Sequence, residues 1–165
     1  LRAPGAVHVG SAGARGGSAG AAAPTARTNL AQLAERVQAR HDRPLLLVFW
    51  ATWCEPCVAE IPDLVTFHTQ RAAEIDIMAV SLDAFLHGVE ASQQKVDAFL
   101  GETHVPYENV LFTGSQDELF THFSMPGGIP YAILFGADGN VLERFAGRVD
   151  VARLQRALAA PATGS

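Results

Sequence analysis

The sequence predicts an α/β domain, a mixed central sheet flanked by helices, and three observations predict it. Leu45-Leu46-Leu47-Val48-Phe49-Trp50 is an unbroken apolar run of strand length, the pattern of a strand buried on both faces in a parallel sheet. Strand-like runs then alternate with segments of helical apolar spacing. Near the end, two strand-like runs flank Asp138-Gly139, the signature of an antiparallel hairpin, and a last helical segment follows. With 165 residues, 48% hydrophobic and 18% charged, the chain is globular and long enough to bury the core of one domain.

Residues 1–28 read as a flexible linker. Seventeen of them are Ala, Gly or Ser and none is acidic, which leaves too little apolar surface to offset the entropy of ordering. Val7-His8-Val9 is their one strand-like beat. The folded domain is expected over 29–160, with a short tail at 161–165. Leu30, Leu33 and Val37 recur at helical spacing behind Thr28 or Asn29 as a cap, and the helix ends before Pro44. After the strand at 45–50, residues 54–73 form the second helix. Val58, Ile61, Val65 and Ala72 line one face, and Pro62 should kink it. Residues 75–81 form a strand, and about 89–101 a helix carrying Val89, Val96, Phe99 and Leu100. A short strand is expected at 110–112 and a short helix at 116–123. The hairpin strands are expected at 131–135 and 141–145, with Gly147 closing the hairpin, and the last helix at 150–159.

Chemistry concentrates where the 45–50 strand meets the second helix, at Trp53-Cys54-Glu55-Pro56-Cys57, which holds both cysteines of the chain. Two cysteines cannot build a disulfide scaffold, and a four-cysteine zinc site needs a second pair. Val58 after Cys57 excludes a Cys-x-x-Cys-His haem attachment site. What remains is a redox pair or a coincidence. A cysteine in the first turn of a helix meets unsatisfied N–H groups and the positive end of the dipole, which favour thiolate. Residues three apart share a helix face, so the two sulfurs can bond without moving the backbone. On this reading Cys54 is the exposed nucleophile and Cys57 the buried resolving thiol. Glu55 sets a negative charge beside the thiolate, which opposes its formation, and Pro56 fits a first helical turn. Glu60 falls near the buried face of the helix, close to Cys57. Trp50 belongs to the core and Trp53 to the site. His68 reads as a packing residue, Tyr131 as facing either the site or the sheet, and Asp83 as a polar strand end, with influence on the site as its second reading.

Trp53 to Cys57 after a buried strand resembles the active site of the thioredoxin superfamily. Pro62 resembles its helix-kinking proline, Gly128-Ile129-Pro130 its cis-proline loop, and Asp138-Gly139 with Gly147 its closing hairpin. The resemblance covers about 29–160 and implies a thioredoxin-like fold. Within the superfamily, Cys54-Glu55-Pro56-Cys57 and Glu60 are similar to the TlpA/ResA-type thiol-disulfide oxidoreductases, as is residues 84–112 read as that branch's central insertion. The resemblance implies that Trp53, Glu55, Pro56, Ile129 and Pro130 contact substrate. It also implies that Glu60 lines a cavity by the cysteines and tunes their acid–base behaviour. Val48 stands where thioredoxin carries a buried acid, so the proton chemistry of Cys57 falls to Glu60. Ile129 stands where ResA has Thr, a departure within that branch.

The expected function is therefore dithiol–disulfide exchange through Cys54 and Cys57, reducing disulfides of extracytoplasmic proteins, in cytochrome c maturation or a similar process. A disulfide oxidase or isomerase, and a non-catalytic metallochaperone on the same fold, remain alternatives. No cofactor or metal is expected. The expected partners are a disulfide-bonded protein substrate and an upstream membrane or soluble dithiol reductant. The net charge of −5 argues against nucleic acid, and a monomer is expected. No run reaches the ~18 apolar residues of a membrane span. A chain that starts at Leu1 reads as processed or truncated, and the resemblance implies the bacterial periplasm or cell envelope, with an anchor upstream.

Overall fold

The computed structural model describes residues 23–40 and 42–160. Six strands form one mixed sheet: β1 (Ala26–Thr28), β2 (Leu45–Trp50), β3 (Asp76–Ser81), β4 (Glu108–Phe112), β5 (Tyr131–Phe135) and β6 (Val141–Ala146). Their spatial order is β1-β4-β3-β2-β5-β6. The apolar run forms β2, which pairs parallel with β3 and antiparallel with β5, so both its edges are occupied. All six of its residues are buried, as a strand covered on both faces requires.

The pleat sends alternate side chains of β2 into two cores. Leu46, Val48 and Trp50 join Ile61, Leu64 and Phe67 of α2 (Glu55–Arg71), Val96 of α4 (Val89–Thr103) and Leu154 of α6 (Val151–Ala159). Leu45, Leu47 and Phe49 face the other way, toward Leu33 and Val37 of α1 (Leu30–Gln38) and Leu119 of α5 (Gln116–His122). Asn29 caps α1 in a reciprocal capping box with Gln32. α2 runs unbroken through the exposed Pro62. The β5–β6 turn closes on Gly139 at φ 83°, a backbone angle glycine adopts freely.

One sequence expectation needs correcting. Ala26–Thr28, assigned by composition to the linker, is the edge strand β1, parallel to β4 with Thr28 opposite Phe112. Composition overlooks it because a three-residue edge strand is held by polar contacts rather than apolar burial. Arg27 forms a bidentate pair with Glu90 and bonds Gln93, and Thr25 N–H donates to Asp97 at 2.8 Å. The domain therefore begins before residue 29. Residues 1–22, with Val7-His8-Val9, and the tail at 161–165 lie outside the described residues. α3 (Ala84–His87), a single turn between β3 and α4, was not anticipated, because it has no apolar periodicity to betray it. α4 also runs two residues beyond its expected end and stops where His104 turns left-handed at φ 50°.

Candidate active site

The sheet places the junction of β2 and α2 at the centre of one edge. β2 ends at Trp50, and Cys54 becomes the N-cap of α2, with Cys54 N–H donating to Ala51 O at 3.1 Å and Val58 N–H to Cys54 O at 3.0 Å. Glu55 and Pro56 fill the first helical positions and are exposed. Cys57 follows one turn in, and the two cysteines form a disulfide with Cα atoms 5.2 Å apart. Cys54 is the more accessible of the two, 6% exposed against 1%, yet far less open than the position of a first-turn residue suggests. The solvent face is taken instead by Trp53, 46% exposed.

A buried carboxylate holds this loop from beneath. Asp83, fully buried just past β3, accepts from Thr52 N–H at 3.0 Å, from the Thr52 hydroxyl, and from the Ser81 hydroxyl at 2.6 Å. The sequence reading put the polar strand end first and influence on the site second, and did not anticipate the bonds to Thr52 and Ser81. Its only signal was an Asp directly after a buried strand in a chain whose reactive loop follows the neighbouring strand.

The Ile129–Pro130 peptide bond is cis. Ile129 packs against the core cluster that contains Cys54 and Cys57, and Pro130 O accepts from Gly147 N–H at 3.0 Å, tying the loop to the end of the hairpin. Tyr131 turns into the sheet, where its hydroxyl accepts from Arg144 at 3.0 Å. His68 sets its ring edge-on to Tyr107 with centroids 5.8 Å apart, a packing role.

Behind Cys57 lies a small cavity of about 10 Å³, lined among others by Val48, Cys57, Glu60 and Tyr107. That is room for about one water. Glu60 is 3% exposed, and its Oε2 accepts from Val149 N–H at 2.8 Å, so the loop after β6 holds the carboxyl of a residue that lines the same cavity as Cys57. Burial raises its pKa above the ordinary 4.5; the Val149 bond and Arg148 oppose the shift, and Asp63 adds to it. Burial, with Glu60 nearby, also pushes the Tyr107 hydroxyl up. The Val48 wall offers no second acid, so within this lining Glu60 is the carboxyl that shares the cavity with Cys57. Val149 was invisible in sequence, since it meets Glu60 across 89 residues of chain.

The raised Glu60 pKa has a consequence for stability. Above 4.5 the unfolded chain releases this proton before the folded one does, so Glu60 stabilises the fold fully only below 4.5. That contribution is lost as pH rises through the folded pKa. Chemical denaturation of wild type should show stability declining across this window. Glu60→Gln should flatten the decline, and an unchanged profile would contradict the assignment.

Residues 18–158 match the family model described as Redoxin. The thiol-disulfide oxidoreductase ResA of Oceanobacillus iheyensis is 31% identical over 105 residues, 56% of this chain and 50% of that protein, so the match spans half of that relative's length. The structure of StoA from Bacillus subtilis superposes with a TM-score of 0.57 at 23% identity, covering 70% of this chain and 81% of that one. A thiol-disulfide isomerase from Corynebacterium glutamicum superposes with a TM-score of 0.64 at 14% identity, covering 76% and 84%. At these identities the two structures share the fold, which is thioredoxin-like. A family match over most of the chain and a cysteine pair at the head of α2 lead to one assignment: the chain belongs to the Redoxin family and is ResA-like within it.

Proposed function

We propose that the protein is a thiol–disulfide oxidoreductase that reduces disulfides of protein substrates outside the cytoplasm. The observation that carries the reading is the Cys54–Cys57 disulfide at the N-terminus of α2, with Cys54 the more exposed of the two and Cys57 lining the Glu60 cavity.

In the reduced protein the Cys54 thiolate, favoured by the helix N-terminus, attacks one sulfur of a substrate disulfide. The Cys54–substrate disulfide forms, and the other substrate sulfur leaves as a thiolate. Cys57 then gives its proton to the Glu60 carboxylate, directly or through one water, and its thiolate attacks Cys54 Sγ. The second substrate thiolate leaves and the Cys54–Cys57 disulfide closes. Two electrons have passed to the substrate, and a dithiol reductant returns two to the pair. Trp53, Glu55, Pro56, Ile129 and Pro130 form the surface around Cys54 on which the substrate would rest. The ResA likeness supports the bacterial periplasm or cell envelope as the setting, and cytochrome c maturation or a similar process as the use. It also supports reading residues 84–112 as a central insertion. Among the described residues no helix is long and apolar enough to cross a membrane.

Reduction of insulin disulfides with dithiothreitol as electron donor tests the activity. Turnover above background supports it, and none sinks it. A reduction potential near the roughly −270 mV of thioredoxin supports reduction, whereas one near about −120 mV would turn the reading into an oxidase.

A further inference from the structure

The loop after β6 is fastened residue by residue. Gly147, turned at φ 98°, donates its N–H to Pro130 O at 3.0 Å. Val149 N–H donates to Glu60 Oε2 at 2.8 Å. Between the two, Arg148 reaches across to α2, where its Nη2 donates to Ala59 O at 3.4 Å and to Asp63 Oδ2 at 3.3 Å. Ala59 and Asp63 bracket Glu60 on the helix, so the guanidinium grips the turn that carries the carboxyl. Val149 is the next residue in the chain, and that grip sets where its N–H stands.

The contact does little for the fold. The Arg148 and Asp63 side chains are 51% and 65% exposed, and an ion pair so open to water adds little stability. Its effect falls on the group beneath. Burial disfavours the charged form of Glu60, whereas a backbone N–H on Oε2 and a nearby cation favour it. Arg148 is that cation, and it also places the N–H; Asp63 acts in the opposite sense. The other titratable groups here are Cys57 on α2 and Tyr107 ahead of β4, with His68 edge-on to the Tyr107 ring. To the cavity itself β2, β3 and α4 bring only uncharged side chains. Among the described residues, then, Arg148 is the cation that offsets the burial of Glu60.

We propose that Arg148 is a positioning residue for the second half of the exchange: by fastening the loop from Gly147 to Val149 onto α2, it holds Glu60 as a carboxylate ready to take the proton of Cys57. The proposal rests on the dithiol-exchange reading and adds to it a residue outside the cavity lining. In that step the proton passes from Cys57 Sγ to Glu60. The Cys57–Cys54 bond forms as the Cys54–substrate bond breaks, and the substrate sulfur leaves with the electron pair. Arg148 exchanges neither proton nor electron. A Glu60 that already carries a proton cannot accept a second, and Cys57, 1% exposed, is closed to bases in bulk water.

The experiment mixes reduced protein with one equivalent of dithiobis(nitrobenzoate) and follows the coloured thiolate it releases. The first thiolate reports attack by Cys54 and the second reports displacement by Cys57, so one trace times both halves. At about pH 6, Arg148→Ala is expected to slow the second phase about fivefold, the upper end of what a part-exposed charge contact supplies, and to leave the first within about twofold. At about pH 9 the difference in the second phase should shrink to within about twofold, because Glu60 is charged there with or without its cation. Arg148→Lys keeps the charge and should recover most of the rate. With Glu60→Gln in place, Arg148→Ala should add nothing, since both changes act through one group. Arg156→Ala, at an exposed arginine of α6, should leave both phases as in wild type. A second phase that Arg148→Ala leaves within about twofold of wild type at about pH 6, or slows equally in the Glu60→Gln protein, overturns the role of Arg148 and leaves the exchange reading intact. A wild type that releases no second thiolate overturns both.

Discussion

Cys57→Ser is expected to abolish turnover and convert the protein into a covalent trap, its substrate held on Cys54 as a mixed disulfide stable enough to isolate under non-reducing conditions. The expectation follows from the unequal placement of the two sulfurs. Cys54 is the N-cap, at the positive end of the α2 dipole and at the edge of solvent. Cys57 is sealed beneath it among Ile61, Leu64 and Val48. Only the outer sulfur can meet a substrate disulfide, and only the inner one is close enough to release it, since the two are already bonded in the oxidised protein. Without Cys57 the second displacement has no nucleophile. The reciprocal change, Cys54→Ser, removes the first displacement and should lower insulin reduction to the uncatalysed background with nothing trapped. Mass spectrometry of the trapped adduct reads both the attachment site and the partner's identity. An adduct on Cys57 in the Cys54→Ser protein, in amounts matching the Cys57→Ser trap, would reverse the roles of the two thiols.

What the amino-acid pattern revealed, and what it hid, follows the range of the interactions involved. β2 was legible because six consecutive buried residues leave an unbroken apolar run, and α1 because Leu33 and Val37 keep helical spacing under an Asn29 cap. The cysteine pair was legible because its meaning lies in a local spacing. Glu60 was legible in part: its helical angle places it near the buried face. The bond that orients it, from Val149, belongs to a loop that reaches α2 only once the sheet has closed. β1 was hidden because it is held by Arg27, Thr25 and backbone pairing to β4, none of which leaves an apolar signature. α3 was hidden because a single turn is too short to show periodicity.

Asp83 tests how far the reactive loop depends on what lies beneath it. Its carboxylate is fully buried and accepts three hydrogen bonds, two from Thr52 and one from Ser81, so it joins the end of β3 to the loop that leads to Cys54. Asp83→Ala removes the acceptor and strands the Thr52 N–H and the Ser81 hydroxyl, the latter in a residue with no exposure. Hydrogen bonds to a charged group are worth about 1.5–3 kcal/mol each, and buried donors left unpaired carry their own desolvation cost, so a loss of about 3 kcal/mol is expected. For a domain of this size that is a fall in Tm of about 10 °C. Asp83→Asn keeps an oxygen for the Thr52 N–H but turns an N–H₂ toward donors, and should lose about half as much. The clamp also predicts an effect on chemistry that simple loss of stability would not produce. Well below its lowered Tm, the folded Asp83→Ala protein should react more slowly through Cys54, because the loop from Ala51 to Cys54 is no longer held against β3, while Asp83→Asn recovers most of the rate. Thermal unfolding and the rate of mixed-disulfide formation, measured on the same samples at a temperature where both variants are folded, separate the two effects. A Tm within about 3 °C of wild type for Asp83→Ala would mean that a buried acceptor of three bonds contributes less than one ordinary charged hydrogen bond, and the clamp would then carry neither the stability nor the positioning assigned to it.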